Sequence, residues 1–126
     1  MSYKNLTVLI VDDFITMRRI VRKILRDLDF EDILEAEDGS AAMSVLKGTK
    51  VDLIISDWNM PKMTGLELLK EVRSTDNLKG IPFLMLTAEA QKENIMEAVK
   101  AKVSNYIVKP FTPEGLQEKL AKILPQ

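Results

Sequence analysis

Short apolar runs recur five times along the chain, and each is followed by a stretch whose apolar residues fall at helical spacing. That alternation leaves few architectures open. A strand buried on both faces reads as a continuous apolar run, and helices linking such strands produce a parallel sheet covered on both sides. The runs are Val8 to Val11, Ile33 to Ala36, Leu53 to Ser56, Phe83 to Leu86 and Tyr106 to Val108. The first helix is the clearest, with Met17, Ile20, Val21, Ile24, Leu25 and Leu28 placed along one face. Arg18, Arg19, Arg22, Lys23 and Arg26 fill its other side, which reads as a solvated face. The later helices use Ala42, Val45 and Leu46, then Leu66, Leu69 and Val72, then Ile95, Val99 and Val103, and finally Leu116, Leu120, Ile123 and Leu124. Thr112 before Pro113 predicts a helix cap followed by a first-turn proline, while Gly39-Ser40 and Thr64-Gly65 mark other helix starts. The expected fold is therefore α/β, five βα units forming one domain over residues 1–126. The 17 residues after Lys109 hold one helix, so no output domain is expected.

Two missing residue types narrow the chemistry. Without cysteine there are no disulfides, thiolate metal sites or cysteine nucleophiles. Without histidine, Ser-His catalysis and imidazole ligands also disappear, and no phosphohistidine can be carried on this chain. Eighteen basic residues balance nineteen acidic ones, giving a net charge of −1 and no field favouring nucleic acid or an anionic membrane. The apolar runs are too short to span a bilayer, and the N-terminal one ends at once in Asp12 and Asp13, unlike a signal peptide. A cytoplasmic monomer is expected.

In an open parallel sheet, ligands bind beyond the carboxyl ends of the strands. The residues following the apolar runs there are Asp12 and Asp13, then Asp57, Thr87 and Lys109. Three carboxylates and one ammonium sum to −2, and clustered carboxylates repel unless some protonate or a cation joins them. A hard cation with oxygen ligands is the natural complement. Mg²⁺ suits the set better than Ca²⁺, because it accepts one or two carboxylates, keeps water and bridges to phosphate. Such a site can receive a phosphoryl group on a carboxylate, with Lys109 and Thr87 contacting its oxygens. Asp57, isolated on the middle strand, is the best nucleophile, and the adjacent Asp12 and Asp13 suit the metal.

Val11-Asp12-Asp13, Asp57 with Met60-Pro61 and Gly65, Thr87-Ala88 and Lys109-Pro110-Phe111, taken together, resemble the receiver domains of bacterial two-component response regulators. The likeness covers essentially the whole chain. Asp12-Asp13-Phe14 with Thr16 to Arg22, Asp57 to Pro61, Thr87 to Ala90 and Lys92 to Ile95 resemble the chemotaxis branch of that family. The resemblance implies a flavodoxin-like fold of strand order 2-1-3-4-5, an order for which these regulators supply the usual example. It implies that Asp57 accepts phosphate from a phosphohistidine of the chemotaxis sensor kinase. It also implies that Asp13, Asp57 and the backbone carbonyl of Asn59 hold Mg²⁺ while Asp12 acts through water. Thr87 would then move toward the phosphoryl group and Tyr106 would turn inward. The flagellar motor switch would bind a surface including Ala90, Lys92, Ile95, Val99, Tyr106 and Lys119, controlling rotation. A partner phosphatase could remove the phosphate, and the chain itself would catalyse only its own phosphorylation and dephosphorylation.

Two positions depart from the family pattern. Asp29 and Lys102 stand where receivers commonly carry a helix-ending glycine. Asp tolerates a left-handed cap, whereas Lys there costs about 1 kcal/mol relative to Gly. Three other readings compete. A single-domain phosphorelay intermediate fits the same acceptor site. A flavodoxin-like nucleotide or flavin carrier would share the fold, but it calls for a Ser/Thr/Gly-rich phosphate loop where this chain has Asp12-Asp13-Phe14. An aspartyl phosphatase would place a second acid two residues after the nucleophile, where Asn59 stands.

Overall fold

The computed structural model describes residues 3–88 and 92–124. Its elements alternate strictly: β1 (Thr7–Val11), α1 (Ile15–Asp27), β2 (Asp32–Ala36), α2 (Gly39–Gly48), β3 (Leu53–Asp57), α3 (Gly65–Ser74), β4 (Phe83–Thr87), α4 (Lys92–Lys100), β5 (Asn105–Val108) and α5 (Pro113–Ile123). All strand pairs are parallel, in the order β2-β1-β3-β4-β5, as the resemblance implied.

Because side chains alternate across a strand, each central strand feeds two cores. Val8 and Ile10 of β1, Leu53 and Ile55 of β3, and Leu84 and Leu86 of β4 pack toward α1 and α5, meeting Val21, Ile24, Leu25, Leu116 and Leu120. Leu9, Val11, Ile54, Phe83 and Met85 point the other way and meet Ala42, Met43, Leu46, Leu68, Leu69 and Val72 of α2 and α3. Both faces are covered, so the strands need no polar alternation.

The helix ends follow local chemistry. Asp38 caps α2 through the Ala41 N–H at 2.8 Å. Thr64 and Glu67 form a reciprocal capping box on α3, and Thr112 caps α5 ahead of Pro113. At the end of α1, Asp29 adopts φ 71° while the Asp29 and Phe30 N–H groups donate to the Arg26 and Leu25 carbonyls. Lys102 adopts φ 67° after α4, with the Lys102 and Val103 N–H groups donating to Val99 and Ala98. Both are left-handed caps of the kind glycine usually supplies. Lys62, at φ 67° in the β3–α3 loop, is a third such residue that the sequence did not signal.

Three expectations need correction. Asp57 and Thr87 are the last residues of β3 and β4 rather than the first beyond them, since the ladder continues to Asp57↔Leu86 and Thr87↔Val108. Ile20 is 47% exposed, because the apolar stripe of α1 is wider than the strip that the sheet covers. On α4 the buried residue is Ala98, whereas Val99 is 61% exposed and Val103 lies past the helix end. A small side chain lets that helix lie close to its support, and its larger apolar residues turn outward. Among the described residues, no helix is long and apolar enough to cross a membrane.

Candidate functional site

The parallel topology brings the carboxyl ends of β1, β3, β4 and β5 to one edge, and the predicted carboxylates, hydroxyl and ammonium arrive there together. Lys109, one residue past β5, donates from Nζ to Asp57 Oδ1 at 2.7 Å and lies 3.9 Å from Asp12 Oδ2. One carboxylate oxygen from each of Asp12, Asp13 and Asp57 lies within 4.8 Å of the others. Asp12, Asp57 and Thr87 are buried, and Asp13 opens to solvent.

Asp12 is held on all sides but one. Its N–H donates to Ala36, its carbonyl accepts from Arg18 at 2.6 Å, and its Oδ1 accepts the Phe14 N–H at 2.9 Å. Its Oδ2 is buried and accepts no hydrogen bond. Burial pushes the Asp12 carboxyl above its ordinary value; the Phe14 bond and Lys109 oppose this, and Asp57 and Asp13 add to it. A buried oxygen without a donor, in a site with surplus negative charge, is the environment a hard cation satisfies. Three oxygen donors and no nitrogen or sulfur ligand fit Mg²⁺.

The β3–α3 loop forms the wall beside Asp57. Trp58 donates its N–H to Leu86 at 2.9 Å, and Gly65 donates back to Trp58 at 2.8 Å. A Cβ on Gly65 would collide with the Asp57 carbonyl oxygen, so only glycine lets α3 start this close to the strand end. Asp38 lies 3.9 Å from the Lys62 ammonium and joins the β2–α2 loop to the same wall. Asn59 is exposed on this loop.

The remaining predicted residues lie apart from the carboxylates. Tyr106 is half-buried on β5 with the Lys119 ammonium 5.3 Å from its ring centre, and Lys119 also reaches Asn105 at 3.4 Å. Lys92 and Val99 are exposed on α4 and Ile95 is half-buried. Ala90, expected on the same surface, lies outside the described residues. Sequence reasoning missed the support of Asp12 by Arg18, and the pairing of Arg18 and Arg22 with Glu35 of β2 at 2.9 and 2.8 Å. Two members of the basic row on α1 are therefore bound to the sheet edge. The signal was Glu35 itself, an acid within the apolar run from Ile33 to Ala36.

Comparison with known proteins agrees with this geometry. The model of the response regulator receiver domain matches residues 8–121. The chain is 55% identical over 120 residues to the chemotaxis protein CheY-3 of Vibrio cholerae, covering 95% of this chain and 92% of that one. It is 52% identical over 116 residues to the chemotaxis protein CheY of Pseudomonas aeruginosa, covering 92% and 94%. The crystal structure of Vibrio cholerae CheY4 superposes with a TM-score of 0.89 at 39% identity, covering 94% of this chain and 98% of that one. The strand order, the converging carboxylates and a family match spanning nearly every element lead to one conclusion: the chain belongs to the response regulator receiver domain family.

Proposed function

We propose that the chain is a phosphorylation-dependent switch of chemotaxis in which Asp57 is the phosphoacceptor. The observation that carries this reading is the Lys109 ammonium 2.7 Å from Asp57 Oδ1, beside two further carboxylates at one sheet edge. An Asp57 oxygen attacks the phosphorus of a kinase phosphohistidine. A P–O bond forms, the P–N bond breaks, and the imidazole leaves with the electron pair and takes up a proton. Lys109 neutralises charge gathering on the phosphoryl oxygens, and the Thr87 hydroxyl donates to one of them. When bound, Mg²⁺ would be held by Asp13, Asp57 and the Asn59 carbonyl, with Asp12 acting through water, and would screen the incoming dianion. Water later cleaves the acyl phosphate, so the only turnover is the protein's own phosphorylation and dephosphorylation.

The output is binding of the flagellar motor switch by a cytoplasmic, monomeric protein whose residues 1–126 form one receiver domain. Thr87 moves toward the phosphoryl group, Tyr106 turns further inward, and the surface with Lys92, Ile95, Val99 and Lys119 changes its affinity. A sensor histidine kinase is the donor, and a partner phosphatase could shorten the signal. The half-exposed position of Tyr106 supports this path, since its ring has burial still to gain. Incubation with acetyl phosphate and Mg²⁺, followed by intact mass and peptide mapping, tests the acceptor. One acid-labile phosphate on Asp57, absent from Asp57→Asn, is the expected result; full labelling of that variant refutes it.

A further inference from the structure

Arg73, near the end of α3, is tied to two other segments by its guanidinium. Nε donates to the Lys102 carbonyl at 2.9 Å, and one terminal nitrogen donates to the carbonyls of Lys79 and Ile81 at 3.0 and 2.6 Å. The other reaches Ser104 Oγ at 3.4 Å. Ser104 in turn accepts the Phe83 N–H through Oγ at 2.9 Å, and its own N–H donates to the Phe83 carbonyl at 3.0 Å. One side chain thus joins the end of α3 to the loop before β4 and to the turn after α4, and through Ser104 it reaches the first residue of β4. A planar guanidinium can hold several acceptors at fixed angles, which an ammonium cannot.

The remainder of α4 is fastened far less. Within Lys92–Lys100 only Ala98 is buried, and Met96 and Val99 are exposed. At the C-terminal end, by contrast, Ala101 and Val103 pack against the α2–α3 core, and the left-handed cap at Lys102 is closed by two backbone hydrogen bonds. We propose that Arg73 is the positioning residue that fixes the C-terminal end of α4, so that displacement of this helix is a pivot about Lys102 carrying the Lys92 end. The pivot rests on the functional reading above, in which phosphorylation at Asp57 is relayed to α4; the anchor itself does not.

Amide hydrogen exchange followed by NMR separates the two. Without any ligand, Arg73→Gln is expected to speed exchange of the Lys102 and Val103 amides about tenfold while leaving Ile54 and Ile55 unchanged, as a local opening would. Equal acceleration of all four, or no change at Lys102 and Val103, overturns the anchor. Should Arg73→Gln fail to fold, Arg73→Lys keeps the charge without the fork and is expected to show a smaller loss confined to the same amides; wild-type protection there overturns the proposal. With Mg²⁺ and beryllofluoride, wild-type Met96 and Glu97 are expected to change exchange rate while Lys102 and Val103 hold. Movement of all four together overturns the pivot. An absence of any beryllofluoride effect, at Thr87 included, refutes the functional reading and with it the pivot, while the ligand-free arm still decides the anchor.

Discussion

Replacing Asp12 with Asn should stabilise the metal-free protein while weakening its response to Mg²⁺. At an effective dielectric of about 20, Lys109 at 3.9 Å attracts the Asp12 carboxylate by about 4 kcal/mol. Asp57, with an oxygen within 4.8 Å, repels it by about 3.5 kcal/mol or more on the same footing. Asp13 adds further repulsion, weakened by its exposure to solvent, so the charge terms together disfavour the ionised form. What remains is burial: Asp12 is 1% exposed and its Oδ2 accepts no hydrogen bond. A buried polar atom left in that state costs about 1–3 kcal/mol. Asn keeps the shape and an acceptor for the Phe14 N–H, removes the charge, and exchanges the unpartnered oxygen for an amide donor in a carboxylate-rich site, so a gain of about 1–2 kcal/mol is expected near neutral pH.

The pH dependence follows from linkage. Burial raises the folded carboxyl above 3.8, so the folded state binds this proton more tightly than the unfolded chain does. The destabilisation is fully present above the folded value, shrinks as pH falls through it, and disappears below 3.8. The advantage of Asp12→Asn should shrink in the same window. Urea melts of both proteins between neutral and mildly acidic pH, with and without Mg²⁺, provide the measurement. Magnesium at about 100 times its dissociation constant adds about 2.7 kcal/mol to a protein that binds it only when folded. That increment should be smaller in the variant. A variant less stable than wild type without metal, or a difference that does not change with pH, would refute the reasoning.

Lys102→Gly removes a left-handed lysine and should stabilise by about 0.5–1 kcal/mol after the added freedom of the unfolded chain is subtracted. Chemical denaturation checks this, with Glu97→Gly inside α4 as a control that should lose stability. Trp58, the single tryptophan, follows Asp57 directly, so Mg²⁺ titration should change its fluorescence, with a weaker apparent affinity in Asp13→Ala. Thr87→Ala should keep phosphorylation at Asp57 but lose most of the beryllofluoride-dependent gain in motor-peptide affinity; an undiminished gain would show that Thr87 is not the relay.

Much of the site was legible because of how a parallel sheet is built. Continuous apolar runs identified the strands, parallel connection puts their carboxyl ends on one edge, and Asp12, Asp13, Asp57, Thr87 and Lys109 stood at those ends. The glycine-to-Asp29 and glycine-to-Lys102 departures were equally visible, since a helix that ends by this motif needs a left-handed residue there. The outward face of α4 was not legible. Ile95, Val99 and Val103 have core-like spacing, but spacing reports only that residues share a side of a helix, and the burial of Ala98 decided which side faces inward. Arg73 left no trace in the pattern either, because its strongest partners are backbone carbonyls, which every residue possesses. The orphaned Asp12 oxygen likewise depends on three chain segments meeting. Side-chain type and period are local properties that the sequence determines by itself; which polar atoms find partners depends on distances between remote segments, and only the tertiary structure sets those.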